Sequence, residues 1–265
     1  MEEQMYNNSE LRKIQQKKLE ILIDIANFCD ENKIKYWLDS GTLLGAVRHG
    51  GFIPWDDDID IIIMQEDAKF LKENYKSENF EIVNTNEEGI NFYKVISKKE
   101  QVQVGDSIAE LDIDIFFVTY YPDSLAVKFW NSFFHLKKNR IDRFSFSLFF
   151  TNILINLKRK LEKTKLFNYK NIEKKISYIL DGAKKKNKDM PNIAYTPDCG
   201  FYLIIWRKDE IFPLKKMKFE GIEFNIPNNY DTYLKKMYYS YMDLPPKEKR
   251  IPDHYQDKEL KLIRK

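Results

Sequence analysis

The chain is poor in cysteine and has no internal repeat. Its two cysteines, Cys29 and Cys199, are too few for a disulfide framework, so we expect both to be reduced thiols. No low-complexity tract occurs beyond short lysine clusters. Charged residues make up 32% and hydrophobic residues 43% of the chain, which is typical of a folded soluble protein. A length of 265 residues fits one domain, or one domain with a large insertion.

A long hydrophobic run is also missing. The longest apolar stretch, Phe144 to Leu157, is shorter than the ~20 residues of a membrane-spanning helix, and it contains Ser, Thr and Asn. The first residues are acidic where a signal peptide carries positive charge, and no apolar segment of signal type follows them. These absences predict a cytoplasmic protein.

Positive charge is concentrated in the middle of the chain. Residues Ser124 to Met190 contain 17 Lys and Arg against 5 Asp and Glu, a net charge of +12, which leaves −9 for the remainder. Such a segment can contact anionic lipid, a polyanionic glycan or nucleic acid, or it can present solvated helical faces. No nucleic-acid recognition motif occurs, so we expect no such partner. The stretch Phe144 to Leu157 is interpreted as buried helix, with peripheral contact to the anionic inner face of the membrane as the alternative.

Hydrophobic periodicity predicts a mixed α+β fold. The pattern begins with an amphipathic helix from Ser9 to Asp30 and continues with strands and short helices. Further strands are predicted at Ile34 to Leu38, Asp58 to Met64, Phe80 to Val83, Phe92 to Ser97 and Glu110 to Thr119, and further helices at Gly41 to Arg48, Glu66 to Tyr75 and Tyr230 to Ser240. We interpret residues 1–123 as the catalytic core, 124–190 as a basic helical insertion, and 191–265 as the part that completes the core and the substrate site.

The acidic motif at residues 56–60 carries the strongest chemical signal. Asp58 and Asp60 lie two residues apart on a predicted strand, about 6.6 Å along the backbone and on one face, so their oxygens can converge on a hard cation. Mg²⁺, or Mn²⁺, is the expected ion, and substrate phosphates would complete its shell. Gly41 and Thr42 open a short helix, where backbone N–H groups can bind phosphate. The alternative is an exposed acidic loop without a metal.

A second pair of carboxylates alternates on another predicted strand. Asp114 is the first choice and Asp112 the second for a third metal ligand, or for the group that orients or deprotonates an attacking hydroxyl. Arg48 and Arg250 are candidates to bind substrate phosphate. For Arg48 a surface salt bridge is an equal alternative.

Two residues beside the acidic motif are given lesser roles. His49 is a candidate base because the ordinary pKa of histidine lies near neutrality, but a loop histidine without a role is the preferred interpretation. Trp55 is interpreted as a packing residue that fixes the loop.

The motif from Gly41 to Asp60 resembles that of the LicD family of phosphotransferases, which is related to fukutin and the fukutin-related protein. It reads Gly-Thr-Leu-Leu-Gly-Ala-Val-Arg-His followed by Pro-Trp-Asp-Asp-Asp-Ile-Asp, and it is too long and specific to arise by chance. The resemblance is strongest from Tyr36 to Ile63, and weaker matches follow in three places. These are Asp114-Ile-Phe, Ile211-Phe-Pro213, and the stretch from Phe219 to Arg250.

The resemblance implies a nucleotidyltransferase-like mixed sheet with flanking helices. It also implies a divalent metal held by Asp58, Asp60 and a later strand aspartate, for which Asp114 is the choice made above. The activity implied is transfer of phosphocholine from CDP-choline to a hydroxyl of a cell-surface glycan precursor of teichoic acid or lipopolysaccharide type, free or lipid-linked. The alternatives are transfer of another CDP-linked group, namely ribitol-, glycerol- or ethanolamine-phosphate, or transfer of NMP from an NTP. A binding module without catalysis would leave the aspartates unexplained.

A CDP-choline donor would require recognition of its trimethylammonium group. This group cannot donate a strong hydrogen bond, so it needs an aromatic face or a carboxylate. Aromatic candidates are Tyr202, Trp206, Tyr238, Tyr239 and Tyr241.

Overall fold

The computed structural model describes residues 9–87, 90–121, 190–196, 204–252, 254–255 and 258–265. The helices are α1 (Ser9–Glu31), α2 (Ser40–His49), α3 (Gln65–Asn74), α4 (Lys208–Ile211), α5 (Tyr230–Tyr238) and a 3-10 helix at Lys247–Lys249. The strands are β1 (Tyr36–Leu38), β2 (Asp60–Met64), β3 (Phe80–Glu87), β4 (Ile90–Val104), β5 (Ser107–Tyr121), β6 (Asn192–Tyr195), β7 (Ile205–Arg207), β8 (Lys215–Phe219), β9 (Ile222–Ile226) and β10 (Leu260–Arg264).

The chain forms two compact units. The first comprises Met1–Val118 with Asp209–Lys265, and the second comprises Thr119–Lys208. The predicted basic helices from Leu125 to Lys188, with the apolar stretch Phe144 to Leu157, lie outside the described residues. The division predicted at residues 123 and 190 therefore stays a prediction. Among the helices in the described ranges, none is both long and apolar enough to cross a membrane.

A mixed sheet forms the centre of the first unit. Its strands follow the order β1-β2-β5-β4-β10, and β3 lies beside the first half of β4. β2 and β5 are parallel, whereas β1 with β2, β4 with β5, β3 with β4 and β10 with β4 are antiparallel. All five residues of β2, Asp-Ile-Ile-Ile-Met, are buried, as expected for a central strand covered on both faces. The predicted α+β class is confirmed.

Helix α1 covers this sheet with its apolar stripe. Ile14, Ile21, Leu22 and Ile25 recur at helical spacing and are fully buried, and the helix contacts β4 and β10. Burial of each such side chain stabilises the fold by about 1.5–3 kcal/mol. The predicted first helix is thus confirmed to within one residue at its end.

The hairpin of β8 and β9 anchors the loop that leads into the acidic motif. Its turn residues Glu220 and Gly221 both have positive φ, 53° and 81°, which matches the right-handed twist of a two-residue hairpin. The Glu220 carboxylate accepts the N–H of Phe52 at 3.0 Å and pairs with the guanidinium of Arg12. A Cβ on Gly51 would lie 2.2 Å from a Glu220 oxygen, so only glycine permits this approach.

The described part of the second unit contains a short antiparallel pair. β6 pairs with β7, and Tyr121, Ala194 and Ile205 pack together. The rings of Tyr195 and Trp206 meet edge to face, with centroids 5.3 Å apart. No candidate catalytic residue lies in this described part.

Two predicted boundaries near the acidic motif are wrong by up to two residues. Helix α2 begins at Ser40, whose φ is 47°, one residue before the predicted start, so Gly41 and Thr42 lie within its first turn. Strand β2 begins at Asp60, so Asp58 lies in the preceding loop. The loop is kept out of the sheet because Asp57 binds backbone N–H groups near the C-terminus of the chain.

Candidate active site

The strand register places three charged side chains in one row across the sheet. Asp60 on β2 lies beside Asp114 on β5, and Asp114 lies beside Lys94 on β4. Residues directly opposite in neighbouring strands project to the same face, so these side chains share one surface of the sheet. Asp112, two residues earlier on β5, projects to that face as well. Asp58 lies close enough to raise the pKa of Asp60.

Asp60 is the centre of a cluster of negative charge. Its side chain is buried, with 8% of the residue exposed. Burial raises the pKa of Asp60 well above its ordinary value. The negative charges of Asp58, Asp114, Asp39 and Asp56 raise it further. A cation bound among these carboxylates would offset their repulsion, so the cluster has the electrostatic character of a cation site.

Asp112 and Asp114 differ in how they are neutralised. Asp112 lies 3.4 Å from the ammonium of Lys18 and 2.9 Å from that of Lys94, and Asp114 lies 3.6 Å from Lys94. Burial opposes ionisation of Asp112, but the two lysines hold its pKa below the ordinary value. Burial raises the pKa of Asp114 to about 7. The charges of Asp112 and Asp58 add to this rise, and those of the two lysines oppose it. Asp114 therefore retains more capacity for a metal or a proton than Asp112 does.

Asp57 fixes the loop that carries Asp58. Its fully buried carboxylate accepts the backbone N–H groups of His254 and Tyr255 at 3.0 and 2.8 Å, and it lies 3.1 Å from Nδ1 of His254. The contact with Asp57 raises the pKa of His254 to about 9, and the charge of Asp58, 3.6 Å away, adds to the effect. The C-terminal segment thereby holds the acidic motif in place.

Among the described residues, one group of three potential metal ligands has its ligand atoms within 4.8 Å of one another. That group is Asp57, Asp58 and His254, and not the predicted set of Asp58, Asp60 and Asp114. Asp57 already accepts two backbone N–H groups, which reduces its capacity as a ligand. To hold an ion together, the side chains of Asp58, Asp60 and Asp114 would have to move closer to one another.

The first turn of α2 meets the acidic motif directly. A Cβ on Gly41 would lie 2.7 Å from an oxygen of Asp56, so glycine lets this carboxylate approach the positive end of the helix. The buried hydroxyl of Thr42 accepts the N–H of Asp60 at 2.9 Å. Both predicted phosphate-binding residues thus position aspartates, and their contact with substrate phosphate stays a prediction.

Replacement of Thr42 by valine is expected to destabilise the fold and displace Asp60. The change leaves the buried N–H of Asp60 without its acceptor, at a cost of about 1–3 kcal/mol. Thr42→Ser keeps the hydroxyl and loses one methyl group, so about 1 kcal/mol or less is expected. Urea unfolding of both variants measures the difference, and equal stability of the two would contradict the assigned contact.

Arg48 and Arg250 hold the C-terminal loop near Asp56. Arg48 donates to the carbonyls of Tyr241 and Asp243 at 2.9 and 3.3 Å, and Arg250 donates to that of Pro245 at 2.8 Å. The pKa of Arg48 is lowered by burial and by the charge of Arg250, while Asp56 opposes the shift, so the two guanidinium groups lie in one region.

Trp55 packs between two side chains of the same region. Arg250 lies over its ring at 5.6 Å from the centroid, and His49 meets the ring edge to face at 6.2 Å. Burial, then the charge of Arg48, lowers the pKa of His49. This packing agrees with the predicted role of Trp55.

Comparison with known proteins decides the family. The family model described as LicD/FKTN/FKRP, nucleotidyltransferase domain, matches residues 33–158. The lipopolysaccharide cholinephosphotransferase LicD of Haemophilus influenzae is 30% identical over 259 residues, which covers 90% of this chain and 94% of that protein. The chain belongs to the LicD family.

Two further matches are shorter. An uncharacterized protein of Rickettsia prowazekii is 54% identical over 54 residues, 20% of each chain. The human ribitol 5-phosphate transferase FKRP is 57% identical over 35 residues, 13% of this chain and 7% of FKRP.

Several residues of this LicD-family site were missed in the sequence. Asp39 is fully buried, accepts a hydrogen bond from Tyr233 at 2.6 Å, and precedes α2 in the position of a helix N-cap. That cap position was a usable signal. Lys18, Lys94 and His254 reach the cluster from distant parts of the chain, and no local pattern marks them.

A pocket of about 380 Å³ opens beside the acidic cluster of this LicD-family chain. Asp58 and Asp114 form part of its wall. Its volume lies in the range of small-molecule sites, roughly 300–1,000 Å³. The candidate reaction centre is therefore accessible to a ligand of the size of a sugar.

Proposed function

We propose that this protein transfers phosphocholine from CDP-choline to a hydroxyl of a cell-surface glycan precursor of teichoic acid or lipopolysaccharide type. The observation that carries the proposal is the register that sets Asp60 beside Asp114 on neighbouring strands, with Asp58 close by. Support for the group transferred comes from the similarity along nearly the whole chain to a lipopolysaccharide cholinephosphotransferase.

The proposal includes a divalent metal, Mg²⁺ or Mn²⁺, held by Asp58, Asp60 and Asp114. These residues fit such an ion because they offer only carboxylate oxygens, which hard cations prefer. The raised pKa of Asp60 adds to the fit, since burial and its acidic neighbours leave negative charge that a cation would balance. When bound, the ion would supply positive charge to the phosphoryl oxygens.

In the proposed reaction a glycan hydroxyl attacks the phosphorus that carries choline. A new P–O bond forms, and the bond from that phosphorus to the oxygen bridging the two phosphates breaks, so CMP leaves with the bonding electrons. The hydroxyl proton passes to a carboxylate. Asp114 suits this role because it lines the pocket and lies 3.6 Å from Lys94, whereas Asp112 lies closer to Lys94 and also pairs with Lys18.

Arg48 and Arg250 are proposed to bind the nucleotide half of the donor. Their charges lie together near Asp56. Among the aromatic candidates for the choline group in the described part of the first unit, the half-buried Tyr238 interacts electrostatically with the cluster. Burial, and then the charges of Asp39, Asp60, Asp56 and Asp58, raises its pKa well above the ordinary value. Tyr202 lies outside the described residues.

Ribitol phosphate is the second candidate for the transferred group. The match to the ribitol 5-phosphate transferase FKRP includes 35 residues at 57% identity, which favours a related donor. Both candidates use the same aspartates and release CMP. They differ in the group that Tyr238 and its neighbours would contact.

Product analysis tests the proposal. Purified protein with Mg²⁺ is incubated separately with CDP-choline, CDP-ribitol, CDP-glycerol, CDP-ethanolamine and CTP, together with a glycan extract, and nucleotides are separated by chromatography. We expect CMP from CDP-choline and transfer of labelled choline to glycan. Pyrophosphate from CTP would favour the alternative of nucleotidyl transfer, and preferential use of CDP-ribitol would favour the second candidate.

A further inference from the structure

The pocket beside the acidic cluster lies over the sheet face of β3, β4 and β5. Alternate residues of β3, namely Val83, Thr85 and Glu87, project into it. Lys94 and Ile96 of β4 and the aspartates of β5 continue the same face. The pocket therefore combines an apolar floor with hydroxyl, carboxylate and ammonium groups, and Asp114 forms part of its wall.

The charge balance of the pocket disfavours a nucleotide. Five carboxylates line the pocket together with three cationic groups, and each cationic group is already paired with a carboxylate. The carboxylates are Asp58, Glu87, Glu110, Asp112 and Asp114, and the cationic groups are Lys18, Lys94 and His254. Once Asp58 and Asp114 bind the proposed metal, three carboxylates remain with three cationic groups that are already paired, so the rest of the lining offers a diphosphate no unpaired cation. Arg48 and Arg250, which lie together near Asp56, offer it a better environment.

The same pocket disfavours a quaternary ammonium group. The Lys94 ammonium lies 3.3 Å from Glu87, 2.9 Å from Asp112 and 3.6 Å from Asp114, so a cation already occupies the space between these carboxylates. A second cation would be repelled by it. A neutral molecule with several hydroxyl groups fits, because hydroxyls both donate to carboxylates and accept from an ammonium or a threonine.

The geometry points to this pocket as the binding site for the sugar that carries the accepting hydroxyl. We propose that Thr85, Glu87 and Lys94 bind hydroxyl groups of a neutral sugar and present one hydroxyl to Asp114. This inference rests on the proposed function, since transfer requires the attacking hydroxyl to lie opposite the leaving CMP. The nucleotide and the acceptor then approach the aspartates from opposite sides.

Filling the pocket tests the inference. In Thr85→Phe a ring replaces a small polar side chain, and aromatic residues are tolerated on strands. The matched control is Asn84→Phe, which adds a ring on the opposite, exposed face of β3. For Thr85→Phe we expect the KM for the glycan acceptor to rise about tenfold or more and the KM for CDP-choline to change less than twofold. Asn84→Phe should leave both KM values unchanged.

Direct binding of sugars gives an independent readout. Saturation-transfer NMR is recorded with methyl glycosides of neutral hexoses and N-acetylhexosamines, with and without CMP and Mg²⁺. We expect a signal for at least one glycoside that is retained with CMP and lost in Thr85→Phe. Absence of signal from the whole panel, displacement by CMP, or an unchanged signal in Thr85→Phe would overturn the assignment.

The two proposals fail in distinguishable ways. If wild-type protein releases no CMP from CDP-choline, the proposed function fails whatever the sugar data show. If wild-type protein transfers choline and Thr85→Phe has an unchanged KM for the acceptor, the pocket assignment alone is wrong. Circular dichroism of both phenylalanine variants identifies any loss of folding, and the NMR competition with CMP in wild-type protein then decides the assignment without a variant.

Discussion

Replacement of Asp60 by asparagine is expected to abolish turnover while the chain stays folded. The asparagine side chain would retain the shape of the aspartate but lose the charge that faces Asp58 and Asp114. Loss of one group that stabilises charge in a transition state typically costs about 10²–10³ in rate, and loss of a metal ligand removes the ion's contribution as well. We expect the rate of CMP release to fall roughly 10³-fold or more.

The stability of Asp60→Asn distinguishes a functional residue from a structural one. The pKa of Asp60 is raised in the folded state, so its ionised form destabilises the fold at pH values above the unfolded pKa. Removal of that charge is therefore expected to leave the melting temperature at pH 7 unchanged or higher in the absence of metal. The control is Asp106→Asn, a change at an exposed turn, which should affect neither quantity. An active, folded Asp60→Asn variant would contradict the role of Asp60.

Asparagine substitutions at Asp112 and Asp114 are expected to differ in effect: the first should mainly reduce stability, and the second should mainly reduce activity. Lys18 is almost fully buried and its ammonium lies 3.4 Å from Asp112, so Asp112→Asn leaves a buried charge without its partner. Breaking such a pair costs about 3–5 kcal/mol. Asp114→Asn removes the more distant partner of Lys94 and also relieves repulsion from Asp60, so its stability should change by about 1 kcal/mol or less.

The loss of activity should be larger for Asp114→Asn than for Asp112→Asn. Asp114→Asn removes a ligand and the proposed proton acceptor, so we expect kcat to fall at least about 10²-fold. Asp112→Asn should retain more activity at temperatures where it is folded. Urea unfolding measures the stability of both variants, and the rate of CMP release measures their activity. The assignment of the two aspartates would be reversed if Asp112→Asn were the stable but inactive variant.

Local patterns were sufficient to predict most of the described elements. Buried apolar residues at helical spacing predict α1, and the alternating and β-branched runs predict β2 and β5. The boundaries near the motif were less predictable. The alternation of Asp58 and Asp60 suggests one strand, but β2 starts at Asp60 because a contact to residues 254 and 255 fixes Asp57 outside the sheet.

The electrostatic partners of the candidate site were not predictable from local sequence. Asp112 and Asp114 look equivalent in the sequence, since both alternate on β5. They are distinguished by Lys18 and Lys94, and Lys18 comes from a helix 94 residues away along the chain. His254 reaches Asp57 across 197 residues. Such pairs depend on the tertiary fold, which periodicity and spacing do not encode.

The binding of Mn²⁺ tests the central claim most directly. Pulsed electron paramagnetic resonance of Mn²⁺ added with CDP-choline reports ³¹P and ¹⁴N nuclei that lie next to the ion. With Asp58, Asp60 and Asp114 as ligands, the spectrum should contain ³¹P coupling from the diphosphate and no ¹⁴N coupling, and Asp60→Asn should abolish the ³¹P signal. Histidine ¹⁴N coupling that persists in Asp60→Asn would instead place the ion at Asp57, Asp58 and His254, and would contradict the account.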